Sequence, residues 1–320
     1  MARKTIERAR STKLSRRCAP DLKMPMPPVL LVGCGRWGRN ILRDLAIIGR
    51  PTVVVDTSPE ALAAAAPFAR ATYRSLDLHE HVAGVIIATP ATDHVATIER
   101  IARLRMPIFV EKPLAPRIED AERAVALTGN RLFVMDKWRY HPGIEALGAL
   151  ARSGELGPVR AMRTWRVGWG HTHEDIDPIW TLLPHDLSIV REILGFVPPA
   201  VHAIAERGVD RVWGMTACLG ADPVCVIEVS ARRPEHRRRI EVIFDTAVAF
   251  LDGDRDTLIQ IRSDDGHREI SVGDEPPLRR ELQAFVSHLD GGPPPKSSGH
   301  DGVVVVRRIC ELRRLAGLDA

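Results

Sequence analysis

The sequence predicts an α/β fold in which a doubly wound parallel sheet is covered by helices on both faces. From residue 29 onward, short runs of nearly continuous apolar residues alternate with amphipathic segments. Strands that are apolar on both faces are typical of such sheets. Three glycines also follow the first apolar run at the spacing G-x-G-x-x-G, in "VGCGRWGRN". The length of 320 residues favours two domains, of which this sheet would be the first.

The first half divides into strands and helices in chain order. The predicted strands are "PVLLVG", "PTVVVD", "GVIIATP", "PIFVEKP" and "RLFVMD". The predicted helices between them are "RWGRNILRDLAIIG", "SPEALAAAAPFA", "TDHVATIERIARLR" and "RIEDAERAVALTG". Gly49 and Gly129 end the first and last helices, and Ser58 caps the second ahead of Pro59. In such sheets ligands bind beyond the carboxyl ends of the strands. At these ends lie Gly33, Asp56, Thr89-Pro90 and Glu111-Lys112.

The loop after the first strand is predicted to bind the pyrophosphate of a dinucleotide. Gly33 allows a tight turn, Gly35 allows the main chain to approach the pyrophosphate, and Gly38 allows the helix to pack closely on the strand. The first turn of the helix, with Arg36 and Trp37, then presents free N–H groups and a positive dipole end to an anion.

Asp56 ends the second strand, 23 residues after Gly33. A carboxylate in this position accepts hydrogen bonds from both ribose hydroxyls of an adenosine and repels a 2′-phosphate. We therefore predict NAD as the cofactor, with NADP less favoured. Arg36 lies inside the loop and would offset part of this preference.

Composition excludes several other classes of protein. The chain is 45% apolar and 27% charged, and no apolar run approaches the ~18 residues that span a bilayer. The net charge of +4 is concentrated in residues 1–28, which carry eight Lys or Arg and are expected to be a basic, disordered extension. The basic run "RRPEHRRR" (232–239) is interpreted as a solvated turn, because no aromatic residues alternate with its charges. Five cysteines without C-x-x-C spacing fit a cytoplasmic protein. We expect no nucleic-acid or membrane partner.

Two segments resemble the Gfo/Idh/MocA oxidoreductase family. They are "VGCGRWGRN" and "VIIATPATDHVATIERIARLRMPIFVEKPLA" (85–115). The resemblance is specific over residues 29–145 and continues weakly through "SGELGPV", "PHDLSIVREILG" and "SGHDGVVVVRRICEL". It implies an NAD(P)-dependent oxidoreductase acting on a sugar, polyol or sugar-nucleotide-like alcohol.

The resemblance also implies the domain organisation. A dinucleotide-binding Rossmann domain would occupy residues 29–145, and a substrate and oligomerisation domain would occupy 146–320. The second domain would be α+β with an open, mostly antiparallel sheet, and its last helix would pack back on the first domain. The runs "VRAMRTWRVGW", "VCVIEVSAR", "RRIEVIFDTAVAFLDG" and "TLIQIRS" are compatible with such a sheet. A homodimer or homotetramer is the expected assembly.

Lys112 and His185 are the predicted catalytic residues. In the family, the lysine of "EKP" lies beside the nicotinamide and the reacting hydroxyl, and the histidine of "TLLPHDLSIV" matches the general base. A lysine beside an oxidised nicotinamide should have a lowered pKa, because of like charge and partial loss of water. The remaining cofactor contacts implied by position are Thr89, Pro90, His94 and Glu111.

This chain departs from the family pattern at two positions. Thr181 stands where an aspartate usually precedes the histidine by four residues; it can bind substrate but carries no charge. Lys137 replaces the usual asparagine or histidine of the segment "KWRYHP", in which Arg139 and Tyr140 fit the pattern. An extra cation at 137 would suit an anionic substrate such as a uronate or a phosphorylated sugar.

The segment "GWGHTHEDIDPIW" (168–180) permits two interpretations. On a strand, His171, His173, Asp175 and Asp177 would share one face and could hold a metal. Ligation needs convergent geometry as well as adjacency, so we favour a polar loop that lines a sugar pocket. Trp169 and Trp180 would then stack on the sugar, and no metal is predicted.

Two other functions remain open at this stage. The protein could be a dinucleotide-binding regulatory or catalytically impaired homologue, since the expected aspartate is missing. It could also use tightly held NAD for glycoside cleavage or aldose–ketose exchange without net release of NADH.

Overall fold

The first half of the chain forms the predicted parallel sheet. The computed structural model describes residues 26–77, 81–170, 175–253 and 256–319. Six parallel strands lie in the order β3-β2-β1-β4-β5-β6. Their bounds are Val29–Val32 (β1), Thr52–Val55 (β2), Ala71–Tyr73 (β3), Gly84–Ile87 (β4), Ile108–Glu111 (β5) and Leu132–Met135 (β6). Five of them are buried along their whole length, which explains their continuous apolar sequence.

The helices between these strands confirm the predicted alternation. They are Arg36–Ile48 (α1), Pro59–Ala65 (α2), His94–Ile101 (α3) and Ile118–Thr128 (α4). Gly49 ends α1 with a left-handed backbone at φ 82°. The Ser58 hydroxyl accepts the main-chain N–H of Ala61 and so caps α2. Strand β3 was not predicted, because its three residues at the sheet edge are only partly buried and lack a continuous apolar run.

The second sheet has eight strands and is mostly antiparallel, as the family resemblance implies. Its order is β14-β13-β12-β11-β7-β10-β9-β8, and only the β7–β10 pair is parallel. The bounds are Val159–Trp169 (β7), Ala200–Arg207 (β8), Val212–Leu219 (β9), Val224–Ser230 (β10), Arg232–Phe244 (β11), Ala247–Asp252 (β12), Leu258–Ser263 (β13) and Gly266–Ser271 (β14).

The interpretation of residues 232–239 as a turn was wrong. They form the first part of strand β11, which pairs with β7 across a register shift between Arg232 and Arg237. Their side chains are nevertheless largely solvated, as expected. Arginine is tolerated in this strand because Arg237 and Arg239 lie over the rings of Trp165 and Phe250, at 4.7 and 4.3 Å.

Four more helices follow the first sheet in the chain. They are Pro142–Ser153 (α5), Pro178–Leu194 (α6), Pro277–Leu289 (α7) and Gly299–Leu315 (α8). Helix α6 packs on the second sheet, while α7 packs against α1 and α8 against α4. Stacking of Phe285 on Phe109, with ring centroids 4.8 Å apart, holds α7 on the first sheet. Two helices of the predicted second domain therefore contact the first domain, and the predicted boundary at 145/146 falls inside α5.

A cluster of charged residues fixes the segment before α8. The Lys296 ammonium donates to Glu145 and Glu192 at 2.8 and 2.7 Å, and to the carbonyl oxygen of Arg139 at 2.5 Å. These bonds hold the segment that leads from the second sheet to α8, which packs against the first domain. Within the described residues, none of the helices is long and apolar enough to cross a bilayer.

Candidate active site

A crevice of about 910 Å³ opens at the carboxyl ends of the parallel strands. The glycine turn and Asp56 line one end of it, and Lys112 and His185 line the other. The parallel sheet supplies the first group through its strand ends, and helix α6 supplies His185 from the second half of the chain. The fold thus brings predicted residues from both halves of the sequence into one cavity.

The glycine turn has the shape that a pyrophosphate requires. Gly33 has φ +88°, and a side chain there would lie 2.7 Å from the main chain of Ala88. A Cβ on Gly38 would lie 2.2 Å from the Gly33 carbonyl oxygen, so helix α1 packs directly on the turn. A Cβ on Gly35 would meet nothing within 4 Å. Gly35 therefore faces open space at the N-terminus of α1, where an anion is favoured.

Asp56 is held by the main chain at the edge of this turn. Its Oδ2 accepts the N–H of Cys34 at 2.6 Å, and its Oδ1 accepts the N–H of Ser58 at 2.8 Å. These bonds fix the carboxylate and leave further lone pairs for the hydroxyls of a ribose. Arg36 and Arg74 line the same end of the crevice.

Thr89, Pro90 and His94 form the middle of the crevice wall. The ring nitrogens of His94 face main-chain oxygens: Nδ1 lies 2.9 Å from that of Pro113 and Nε2 lies 3.1 Å from that of Thr89. His94 therefore joins the turn after β4 to the turn after β5. The buried Thr89 hydroxyl has no hydrogen-bond partner among the described residues, which fits a ligand in this position. Together with the open space at Gly35, it shows that these residues fit a dinucleotide.

Glu111 ties the first helix to the end of β5. Its carboxylate accepts from the indole Nε1 of Trp37 and, at 3.1 Å, from the main-chain N–H of Lys112. Burial raises the pKa of Glu111, although Lys112 opposes this shift. The Lys137 ammonium lies 4.7 Å from the centroid of the Trp37 ring. Glu111 and Trp37 thus form a wall of the crevice, with Lys137 beside them.

Lys112 points toward helix α6. Its Nζ donates to the carbonyl oxygen of Thr181 at 3.2 Å. Loss of water around the ammonium lowers the pKa of Lys112; Glu111 opposes this shift, and the nearby Lys137 adds to it. The lysine can therefore donate a hydrogen bond to a hydroxyl and share its proton more readily than an ordinary lysine. Lys112 is thus a residue of the crevice and not a surface lysine whose only role is to pair with Glu111.

His185 lies one helical turn after Thr181 on α6. Its Nδ1 is buried and has no hydrogen-bond partner among the described residues. Burial lowers the pKa of His185 well below its ordinary value, and the positive charges of Lys112 and Arg166 lower it further. The imidazole is therefore neutral at pH 7 and able to accept a proton.

Neither nearby aspartate takes the place of the carboxylate that is missing at position 181. Asp177 caps α6 by accepting the N–H groups of Ile179 and Trp180, and it also pairs with Arg313 at 2.6 Å. Asp186 is buried and accepts from Arg166 at 2.6 Å. The Thr181 hydroxyl donates to the Pro178 carbonyl oxygen at 3.1 Å.

The structure does not bring Arg139, Tyr140 or Trp169 to the crevice. Arg139 binds Glu192 at 3.0 Å, and the Tyr140 hydroxyl accepts the main-chain N–H of Lys296 at 2.7 Å. Trp169 is 66% exposed and lies under the guanidinium of Arg232 on the second sheet. The first two residues thus belong to the charged cluster around Lys296.

The metal interpretation concerns residues that are only partly described. His171 and His173 lie outside the described residues, as does most of the basic segment 1–28. Asp175 accepts the main-chain N–H of Ala91 at 2.9 Å. Trp180 is buried under Arg313 and is not available for stacking on a sugar. In the part of the chain that the structure describes, no group of three or more His, Cys, Asp or Glu residues could hold a metal ion.

The sequence analysis did not identify Glu281 on α7, a buried acidic residue that lines the crevice. It shares a helix face with Leu278, Leu282 and Phe285, at the spacing of a buried helical stripe. A charged residue within an apolar stripe is the signal that could have found it.

Comparison with known proteins gives one family match. The family is Gfo/Idh/MocA, an oxidoreductase family with an NAD-binding Rossmann fold, and it matches residues 28–134. The inositol 2-dehydrogenase of Rhizobium meliloti is 26% identical over 89% of this chain and 98% of that protein. The D-apiose dehydrogenase of Paraburkholderia graminis is 31% identical over 40% of this chain and 36% of that protein.

Solved structures share the fold of most of the chain. UDP-N-acetylglucosamine 3-dehydrogenase GnnA from Acidithiobacillus ferrooxidans superimposes with a TM-score of 0.79 at 24% identity, covering 91% of this chain and 98% of that one. An oxidoreductase from Agrobacterium radiobacter, in complex with NAD+, L-tartaric acid and magnesium, gives a TM-score of 0.79 at 19% identity, covering 91% and 96%.

Proposed function

We propose, because this chain belongs to the Gfo/Idh/MocA oxidoreductase family, that it is an NAD-dependent dehydrogenase of a sugar, polyol or sugar-nucleotide-like substrate. It would transfer hydride between nicotinamide and a secondary alcohol of that substrate. One observation carries the proposal: Lys112 and His185 line the crevice whose other end is the glycine turn. Related inositol dehydrogenases support an alcohol as the reacting group.

The residues of the chain would share the work as follows. Bound NAD would supply the hydride acceptor for oxidation of the alcohol and the hydride donor for the reverse reaction. Gly33 and Gly35 would hold the pyrophosphate, Gly38 would keep α1 close to the turn, and Asp56 would hold the ribose. Lys112 would donate a hydrogen bond to the substrate oxygen and orient it. The neutral imidazole of His185 would accept the hydroxyl proton during oxidation, and its protonated form would return that proton during reduction.

A second candidate, a regulatory dinucleotide-binding protein, has one observation in its favour. The group on α6 that Lys112 contacts is the main-chain carbonyl oxygen of Thr181, where the family pattern would place a carboxylate. That protein would bind dinucleotide and ligand without turnover. A screen of polyols, sugars and sugar nucleotides with NAD+ separates the two candidates, because only the dehydrogenase forms NADH.

The first test is a paired titration with NADH and NADPH, followed by energy transfer from tryptophan to the reduced nicotinamide. Trp37 adjoins the glycine turn and should give a signal. We expect NADH to bind more tightly. Asp56→Ser should raise the dissociation constant of NADH about tenfold, because it removes two ribose hydrogen bonds. It should also bring the dissociation constants of NADH and NADPH closer together, because it removes a charge that repels the 2′-phosphate. Failure of wild-type protein to bind either dinucleotide would overturn the proposed function.

We propose an anionic substrate because several cations lie around the predicted base, His185. Lys112, Lys137, Arg166 and Arg238 all lie close enough to His185 to lower its pKa. Lys137 reaches the crevice, where its charge would attract a carboxylate or a phosphate. Of these cations, Arg166 already has a buried carboxylate partner in Asp186.

Lys137→Asn tests the charge preference of the substrate. It should lower kcat/KM for acidic sugars about tenfold relative to their neutral counterparts, because one charged hydrogen bond is lost. Steady-state kinetics on matched pairs, such as a uronate and its parent aldose, measure this ratio. An unchanged ratio would show that Lys137 does not select charge, and NADH titration of the variant serves as the control for an intact site.

The assembly that we propose is a homodimer or homotetramer formed through the second sheet. Helices α5 and α6 pack on one side of this sheet. The strands also carry exposed apolar residues, among them Trp169, Val201 and Ile204. A second copy would remove these side chains from water. We propose a cytoplasmic location, because the spacing of the five cysteines in the sequence is not that of a disulfide-stabilised secreted protein.

A further inference from the structure

Glu281 is a buried acid on a helix face that otherwise serves the core. It is 1% exposed, and its neighbours on the same face of α7, Leu278, Leu282 and Phe285, pack against the first sheet. Burying a carboxyl group without a partner costs free energy. A residue of this kind is usually paired.

The carboxyl group of Glu281 faces the crevice. It lines the cavity together with Met135 at the end of β6, Glu111 and Lys137. Apart from an interaction with the main chain of Asp136, neither oxygen has a hydrogen-bond partner among the described residues. Buried polar groups in native proteins are nearly always hydrogen-bonded, so the partner is expected to come from the ligand in the cavity.

The surroundings of Glu281 favour its neutral form. Burial raises its pKa well above the ordinary value, and the nearby acids Glu111 and Asp136 raise it further. A neutral carboxylic acid offers one O–H donor and one carbonyl acceptor side by side in one plane. A primary carboxamide presents the complementary acceptor and donor on its own edge, so the two groups form a pair of hydrogen bonds.

The position along the crevice identifies the group that would meet this acid. Asp56 lies at the end where the adenosine ribose would bind, and the glycine turn lies next to it. Glu281 also lines the crevice and lies near Glu111 and Asp136, at the ends of β5 and β6, three and four strands along the sheet from β2. A dinucleotide that is held by the glycine turn and Asp56 would reach this end with its other half, the second ribose and the nicotinamide, and of these groups only the nicotinamide carries a carboxamide.

We infer that Glu281 binds the carboxamide of the nicotinamide ring through a pair of hydrogen bonds and so fixes the orientation of that ring. The inference rests on the proposed function, since it requires NAD in the crevice. It makes Glu281 a cofactor-positioning residue contributed by a helix from the second half of the chain.

The test compares NAD+ with its 3-acetylpyridine analogue, in which a methyl ketone replaces the carboxamide. The analogue keeps the acceptor and lacks the N–H donors. Dissociation constants are measured by calorimetry for wild-type protein, Glu281→Met and Glu281→Gln. Glu281→Met should weaken NAD+ about tenfold and the analogue much less, whereas Glu281→Gln, which keeps a donor and an acceptor, should resemble wild type.

Leu278→Ala is the matched control on the same helix face. It should lower the melting temperature by loosening α7, without changing the ratio of the two dissociation constants. If Glu281→Met leaves that ratio unchanged, or weakens both ligands equally, Glu281 has only a structural role and the inference fails. In that case wild-type binding of NAD+ and turnover of a polyol would still support the proposed function. If wild-type protein binds neither ligand, both proposals fail together.

Discussion

Replacing Lys112 by methionine should reduce kcat for alcohol oxidation by about 10²–10⁴-fold, the range typical of losing one positioned proton-transfer group. The Lys112 ammonium has little water around it and, within the part of the chain that the structure describes, donates to the Thr181 carbonyl oxygen alone, which leaves N–H donors for a substrate hydroxyl. Stopped-flow measurement of NADH formation would report the change in the chemical step. Affinity for NADH, measured by titration, should change only a few-fold.

Lys112→Arg is the informative companion to this variant. Arginine keeps the positive charge but does not release a proton near neutral pH. We expect Lys112→Arg to be nearly as inactive as Lys112→Met, which would show that the exchangeable proton matters in addition to the charge. Recovery of most activity in Lys112→Arg would instead assign Lys112 an electrostatic role alone. Thermal melting of both variants separates these results from loss of folding.

His185→Asn should lower kcat by a similar ~10²–10⁴-fold, because asparagine cannot accept the hydroxyl proton.

In wild-type protein, kcat/KM for oxidation should stay constant down to a pH well below 6.5. The reason is that burial and the cation Lys112 hold the pKa of His185 below that of an ordinary histidine. The base therefore stays neutral at pH values where a solvated imidazole is already protonated.

The pH profile of the Lys137→Met variant provides an independent check on His185. The charge of Lys137 helps to keep the pKa of His185 low, so its removal should shift the acidic limb of kcat/KM to higher pH. An acidic limb near 6.5 in wild-type protein, unmoved in the variant, would show that another group limits the rate. Substrate binding to Lys137 is separated from this effect by using a neutral sugar.

The sequence by itself predicted the parts of the fold that depend on neighbouring residues. Apolar runs of four residues between amphipathic segments specify parallel strands and helices, and the glycine spacing specifies the turn at Gly33. These features are local, because the conformation of a strand, a helix or a glycine turn depends mainly on residues that are close in the sequence. Lys112 and His185 came from resemblance to a family, and the structure places both in the crevice with the glycine turn.

The tertiary structure decided the features that join distant parts of the chain. Arg139 and Tyr140 fit a substrate-binding pattern, yet Lys296, more than 150 residues later, engages both of them. Glu281 interrupts an apolar helical stripe, but only the packing of α7 on the first sheet places its carboxyl group in the crevice. No local pattern encodes such contacts, since they arise only when the hydrophobic faces of separate elements pack together.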